Sequence, residues 1–475
     1  MRCRKLLPIG VMLLVTLASC QIGSQTEKPN IIVILADDAG YADFGFNGCE
    51  DLKTPNIDNL AQQGVVFSDA HVSSSVCSPS RAGIITGRYQ QRYGHECNEG
   101  DGFTGLPKTE ISLAKRLKTQ GYNTAAFGKW HLGYAEGYHP NDRGFDYFYG
   151  FLAGGRSYFP DENNDRLGDT HAILENKKHV LFDGYLTDVL GVKASQYIEK
   201  NEGQPFFMYL AYNAVHTPMH ATKEDLALFE GHSRQTLAAM TWALDRSVGN
   251  VIKTLKDKKM LDNTVIFFLS DNGGAHNNQS SNYPLNGFKG NEFEGGHRVP
   301  FLVYWKDKLK VGSYDGLSSS LDIGATACAL AGVKGDFNLP LDGVNLMPYI
   351  SGEKSEPPHD KLFWRKDKMA AARVGDYKLV RVQGLKSTVY DLDTDLGEKD
   401  NLAIEKPELK DQLENELKSW EEQMISPLWT EGHRWDTITY MIHEDLMLNR
   451  TVRVKDPSQL KEYKAMVKKS KMEMK

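Results

Sequence analysis

The sequence predicts an α/β protein, a doubly wound sheet followed by a smaller C-terminal subdomain of antiparallel strands and one helix. Short apolar runs rich in β-branched and aromatic residues recur as far as Leu269. Segments with helical spacing lie between them. Beyond Pro340 the texture changes to short strands broken by turns.

The runs are Ile31–Leu35, Thr124–Phe127, Phe206–Ala211 and Val265–Leu269. Each is too short for a typical helix and apolar throughout, as strands buried on both faces are. Asn56–Gln63 follows a proline and reads as helix, and Ser112–Thr119 starts polar and stops before Gly121. Thr236–Lys256 places Leu237, Met240, Leu244, Val248, Val251, Ile252 and Leu255 on one helical face. Strands alternating with helices make a doubly wound sheet. Farther on, Leu362–Trp364, Ala370–Val374, Tyr377–Val382 and Thr388–Leu392 read as strands. Glu408–Glu422 reads as a helix with Pro407 at its start. The expected division is a main domain over 29–354, an α+β subdomain over 355–425, and an extension over 426–475 that packs back on the main domain.

The 475 residues carry a net charge of −6 with acids and bases interspersed, which argues against a nucleic-acid surface. The basic tail Lys461–Lys475 reads as a solvated helix face. Arg2, Arg4 and Lys5 precede the apolar run Leu6–Leu17, which is too short to span a bilayer comfortably. Leu17-Ala18-Ser19-Cys20 resembles a bacterial lipobox. Residues 1–19 are then a lipoprotein signal peptide, Cys20 is the lipidation site, and 20–28 form a tether. The alternative is an ordinary cleaved signal with a chance cysteine. The expectation is export to a bacterial periplasm or cell surface, with membrane contact only through the lipid anchor. Cys49, Cys77, Cys97 and Cys328 remain, and modification of Cys77 leaves at most one internal bridge. Cys328 lies in a run of small apolar residues and reads as a packing residue.

Ionisable residues follow each of the four main strands: Asp37-Asp38, Lys129-Trp130-His131, His216, and Asp271-Asn272. In open α/β sheets ligands bind beyond the carboxyl ends of the strands. Asp37, Asp38, Asp271 and Asn272 offer hard oxygen ligands, which suit calcium or magnesium rather than zinc. Gathered without a cation, such carboxylates would raise one another's pKa.

The segment Cys77-Ser78-Pro79-Ser80-Arg81, followed by Thr86-Gly87-Arg88, resembles the signature of the type I, formylglycine-dependent sulfatases. Other blocks match that family in order: Pro29-Asn30-Ile31-Ile32, Gly128-Lys129-Trp130-His131, Ala214-Val215-His216-Thr217-Pro218, Ser270-Asp271-Asn272-Gly273-Gly274, Lys289-Gly290 and Glu294-Gly295-Gly296-His297-Arg298-Val299-Pro300. In the second domain Arg373–Leu379 and Tyr390-Asp391-Leu392 match as well, so the resemblance spans roughly residues 28 to 420.

The resemblance implies an alkaline-phosphatase-like fold and hydrolysis of a sulfate ester. It implies that a formylglycine-generating or anaerobic sulfatase-maturating enzyme oxidises Cys77 to formylglycine. Asp37, Asp38, Asp271, Asn272 and the modified Cys77 would hold a divalent cation, calcium with magnesium as the alternative. One hydroxyl of the aldehyde hydrate would attack sulfur, and the other would then expel sulfate. Arg81 would hold the hydrate, Lys129 and Lys289 the sulfate oxygens, His131 would orient or deprotonate the hydroxyl, and His216 would protonate the leaving group.

The chain departs from the family after Gly144-Phe145-Asp146-Tyr147-Phe148-Tyr149-Gly150, where Gly154 falls at a position that some members fill with serine. Arg156, otherwise a surface arginine, is offered as a contact to an anionic sugar. His139, Tyr158, His171, Trp429 and Trp435 are offered as sugar contacts. The chain overall resembles bacterial polysaccharide sulfatases, with a galactose or N-acetylgalactosamine sulfate of carrageenan- or chondroitin-type glycans as the leading substrate. The alternatives are a phosphatase or phosphodiesterase of the alkaline phosphatase superfamily and a non-catalytic, lipid-anchored glycan-binding protein.

Overall fold

In the computed structural model, strand β1 (Asn30–Ala36) is buried along its whole length at the centre of a ten-stranded sheet. The structure describes residues 28–100, 103–335, 337–461 and 464. The expected signal peptide, the expected lipidation site at Cys20 and nearly all of the basic tail lie outside them. Around β1 stand β2 (Val65–Phe67), β3 (Asn123–Lys129), β4 (Tyr147–Phe151), β5 (Phe206–Ala211), β6 (Thr264–Ser270) and β7 (Phe301–Tyr304). Strands β6, β1, β5, β3 and β4 are neighbours in that order and all parallel. β7 runs antiparallel between β6 and β2, so the sheet is mixed. Three shorter strands, Gly312–Tyr314, Leu174–Glu175 and Lys178–His179, complete the two edges.

The apolar runs are continuous because helices cover both faces. Ile32 and Ile34 of β1 point into one core with the helices Leu186–Lys200 and Gln235–Asp257. Ile31, Val33 and Leu35 point into the other, against the helix Asp322–Ala331 and α1 (Cys77–Thr86). Burying each such side chain contributes about 1.5–3 kcal/mol, so the central strands are held from both faces. Cys328 packs in the second core, and all four described cysteines are free thiols. No described helix is long and apolar enough to cross a membrane.

The smaller sheet is antiparallel: β8 (Lys361–Lys366), β9 (Met369–Val374), β10 (Tyr377–Val382) and β11 (Thr388–Asp391). Helix α2 (Pro407–Glu421) covers one face through Leu413, Leu417 and Trp420. Helix α3 (His433–Met447), from the extension, covers the other through Ile438, Ile442 and Leu446. It reaches the main domain at Phe293, so the extension fills the seam between the two domains rather than lying on the main domain alone.

A buried polar clasp fixes that seam. Lys378 Nζ lies 2.9 Å from Glu294 and 2.8 Å from Glu398, with all three side chains fully buried. His71 and His297 face each other at 3.1 Å, and Trp364 of β8 stacks on His297. His71, Glu294 and His297 stand close enough together to hold a metal. Lys378 and Arg298 already neutralise Glu294, so the cluster is an ion-pair network.

Candidate active site

Cys77 opens α1, a helix whose ten residues are all buried. The helix start is tied down from outside: the Ser78 N–H donates to Asn98 Oδ1 at 2.9 Å, and the Ser78 hydroxyl to the His131 carbonyl at 2.6 Å. The thiol faces Asp37 and Asp38 at 3.7 and 3.8 Å. Both aspartates follow β1, and Asp271 and Asn272 follow the adjacent β6, whose register with β1 sets Ala36 opposite Ser270. Parallel pairing thus carries two sequence-distant acidic corners to one place.

Cations interleave with the carboxylates. Arg81, one helical turn beyond Cys77, reaches Asp271 with Nε at 2.8 Å and a terminal nitrogen at 2.7 Å, and lies 3.6 Å from Asp37. Lys129 Nζ is 2.8 Å from Asp37, and Lys289 Nζ is 2.8 Å from Asp38. His216 Nε2 lies 3.6 Å from Asp38, while its Nδ1 is directed at the Thr217 carbonyl at 2.6 Å. His131 Nε2 stands 3.2 Å from Glu99. The structure therefore brings together Asp37, Asp38, Cys77, Arg81, Lys129, His131, His216, Asp271, Asn272 and Lys289.

Burial dominates the electrostatics. It pushes the Cys77 thiol up to about 12 despite Lys129 and Lys289, so the unmodified side chain is protonated at neutral pH. It also holds His131 and His216 down at about 3, as neutral imidazoles. Burial raises Asp38 too, but Lys289, His216, Lys129 and a hydrogen bond from Asn272 outweigh it and leave the carboxyl below its usual range. Asp271 is raised, by burial and then by the charge of Asp37.

The donor set fits a hard cation. Three carboxylates meet at 0–1% exposure, and Asn272 Oδ1, buried beside them, has no hydrogen-bond partner. An oxygen left bare in such a place suits a ligand position for calcium or magnesium.

Gly154 and Gly155 lie against the two histidines, where a side chain would clash at the first and be crowded at the second. A Cβ on Gly154 would fall 2.7 Å from His131 Nε2, and one on Gly155 would fall 3.2 Å from His216 Cε1. The glycine, at a position that some members fill with serine, leaves room for the His131 ring. Arg156 turns the other way, which corrects its expected role. At 3% exposure it pairs with Asp165 at 3.0 Å, donates to the His171 carbonyl and stacks on Phe182, so it braces the loop and does not face substrate.

Tyr158 and His139 are buried as well. The Tyr158 hydroxyl donates to the His216 carbonyl, and His139 caps a turn through the Asn141 N–H. Trp429 is an anchor: its indole N–H donates to the Asn98 carbonyl, and its ring packs edge-on to His95. His171 is held by Asp169. Of the five aromatic and histidine contacts offered, Trp435 lines the cavity of about 270 Å³ that also contains His216 and Lys289.

Sequence reasoning missed Glu99, Asn98 and Glu292. The first two sit in a glycine-rich loop that reads as a turn. Glu292 is buried beneath Ser75, accepting its hydroxyl at 3.0 Å, while its other oxygen has no partner. Burial pushes this carboxyl up to about 7 from an ordinary 4.5. Between those values the folded state keeps a proton that the unfolded state sheds, so stability falls as pH rises through that window. We expect Glu292→Gln to remove up to roughly 3 kcal/mol of that fall, read as a flatter profile of urea midpoints against pH. An unchanged profile would show that Glu292 is ionised.

Comparison with known proteins agrees with this geometry. The Sulfatase family's sequence model matches residues 29–333. The uncharacterized sulfatase YdeN of Escherichia coli (strain K12) is 30% identical, over 85% of this chain and 87% of its own. N-acetylgalactosamine-6-sulfatase of Homo sapiens is 31% identical, over 74% of this chain and 71% of its own. The crystal structure of Ps i-CgsB in complex with k-i-k-neocarrahexaose is 36% identical with a TM-score of 0.81, covering 90% of this chain and 100% of that one. The mixed sheet, its two helical layers and the small antiparallel subdomain make the fold alkaline-phosphatase-like. A family match across the main domain, with relatives this similar over most of their length, establishes that the chain belongs to the sulfatase family and is a hydrolase of sulfate esters.

Proposed function

We propose that this sulfatase removes sulfate from a glycan, using formylglycine made from Cys77 and one divalent cation, calcium in preference to magnesium. The preferred substrate is a galactose or N-acetylgalactosamine sulfate of a carrageenan- or chondroitin-type polysaccharide. The observation that carries the reading is the convergence of Asp37, Asp38, Asp271 and the bare Asn272 oxygen on Cys77, with Lys129 and Lys289 alongside. The N-acetylgalactosamine-6-sulfatase relative and the solved complex with k-i-k-neocarrahexaose support the choice of sugar.

Asp37, Asp38, Asp271 and Asn272 would hold the cation beside residue 77. Bound there, the cation and the hydrated aldehyde supply a hydroxyl nucleophile of lowered pKa. The protein's own groups do the rest. Asp37, Asp38 and Asp271 balance Arg81, Lys129 and Lys289. A divalent cation is then offset by the ester's negative charge and an ionised hydroxyl, so the buried site stays near neutrality. Arg81 holds Asp271 and Asp37 in place. Lys129 and Lys289 donate to sulfate oxygens as charge builds on them. Neutral His131 accepts the nucleophile's proton. The Nδ1–H of His216 donates to the Thr217 carbonyl, leaving Nε2 toward Asp38. A bound anionic ester favours protonation at Nε2, the form that protonates the leaving oxygen.

The lipobox ending at Cys20 supports export to a periplasm or cell surface on a lipid anchor, and Cys77 requires a maturation enzyme in the same cell. The test is a panel of sulfated mono- and oligosaccharides beside matched phosphate esters, with protein co-produced with a formylglycine-generating enzyme. Sulfate is expected from a sulfated sugar, and phosphate from none. Chelation is expected to lower the rate at least about 100-fold, with recovery on adding calcium. Phosphate release alone, or activity indifferent to chelator, would overturn the corresponding part of the proposal.

A further inference from the structure

The active-site cavity is lined by two groups of residues from different parts of the chain. Val76, His216, Thr217 and Lys289 form the group around the reacting centre. The C-terminal extension contributes Glu431, Trp435, Thr439, Ile442 and Lys455 to the same lining. None of these belongs to the sulfate-handling cluster, and nothing in sulfate ester chemistry requires them.

Two features of that lining point to a ligand. Trp435 is 41% exposed, a large ring left open at the cavity lining. Lys455 is half-buried, and its ammonium stands 5.9 Å over the Phe288 ring. Among the described residues no carboxylate lies within ion-pair distance of it. The neighbouring cation Lys366 is committed, to the Gly290 carbonyl at 2.9 Å and to Glu431 at 3.2 Å. Beside Lys455, His276 Nε2 is buried without a hydrogen-bond partner and lines the same cavity. An open aromatic face and an ammonium without a carboxylate partner, lining one cavity, are the chemistry that receives a sugar ring with an acidic substituent.

We propose that the C-terminal extension is the specificity wall of this sulfatase, where Trp435 stacks on a sugar ring and Lys455 pairs with a second anionic group on the same glycan. The inference rests on the sulfated-glycan reading above. A cavity of about 270 Å³ lies just below the range of about 300–1,000 Å³ usual for small-molecule sites. The second anion therefore sits on the sugar bearing the scissile sulfate or on the one next to it. A sulfate and a carboxylate share the required charge, and the substrates tell them apart.

Four substrates test this: a doubly sulfated disaccharide, its singly sulfated counterpart, a singly sulfated disaccharide with a uronic carboxylate, and 4-nitrophenyl sulfate, which has no sugar. Trp435→Ala is expected to lower kcat/KM on the disaccharides about tenfold more than on 4-nitrophenyl sulfate, with Trp435→Phe recovering most of the loss. Lys455→Gln is expected to lower kcat/KM about tenfold more on whichever doubly anionic sugar is preferred than on the singly sulfated one. Losses equal across all four substrates, or no loss, would overturn the inference while leaving the glycan reading intact. Wild-type turnover of 4-nitrophenyl sulfate with none of any disaccharide would overturn both.

Discussion

Cys77→Ala is expected to abolish sulfate release, by about 10⁴-fold or more, while the protein still folds. The side chain is 1% exposed and makes only weak contacts of 3.7 and 3.8 Å to the two aspartates. Removing one sulfur atom from the first turn of α1 leaves every strong hydrogen bond of the site in place: Arg81 to Asp271, Lys129 to Asp37, Lys289 to Asp38. The stability change is expected to stay within about 1–2 kcal/mol. Loss of turnover with a urea midpoint shifted by no more than that amount would support residue 77 as the nucleophile's source. The unmodified thiol, held at about 12 by burial, has no thiolate to offer at neutral pH. Unmatured wild-type protein should therefore be as inactive as Cys77→Ala, and mass spectrometry of the peptide containing residue 77 should track activity with loss of its sulfur. Full activity in protein that retains the thiol would refute the formylglycine proposal.

Asp271→Asn is expected to damage both catalysis and stability. Asp271 accepts a hydrogen bond from Arg81 Nε at 2.8 Å, pairs with a terminal nitrogen of the same guanidinium at 2.7 Å, and accepts a second hydrogen bond, at 3.3 Å, from the Asp38 N–H. Neutralising it leaves the fully buried Arg81 guanidinium with only Asp37, 3.6 Å away, as a charged partner. Breaking one side of a buried pair costs about 3–5 kcal/mol, and the remaining contact to Asp37 places this variant at the lower end. The same change removes a proposed cation ligand, so activity is expected to fall by about 10²–10³-fold. The double variant Arg81→Met/Asp271→Leu separates the effects, because it removes both charges. Much of the stability should return, and the activity should not. Recovery of activity in the double variant would mean that Asp271 serves only to hold Arg81.

The central strands were legible because each is a short, continuous apolar run. The acidic corner was legible because its residues follow those strands directly. The partners of β6 were less so. β7 is a four-residue strand that returns antiparallel after a long excursion, and nothing local distinguishes its Phe-Leu-Val-Tyr from a buried loop. Likewise β4, an aromatic run ending in Gly150-Phe151, is a strand because β3 lies beside it in register.

Residue identity and strand order, taken alone, determined the fold class and which residues gather at the site: Cys77, the acidic pair of corners and the two lysines. These depend on spacing and on a rule of α/β sheets that places strand ends together. Tertiary structure decided which way each loop side chain points. Arg156 turns inward to Asp165 while its neighbours Gly154 and Gly155 face His131 and His216, and one residue of rotation in an irregular loop is invisible to any periodicity. Tertiary structure also decided the company the site keeps. Trp435 and Lys455 stand more than two hundred residues beyond His216 in the chain. They line its cavity because α3 packs into the seam between the two sheets, a long-range contact set by buried Ile438, Ile442 and Leu446. The physical reason is that short-range pattern encodes which face of an element is apolar, whereas the faces that finally meet are chosen by the packing of the whole core.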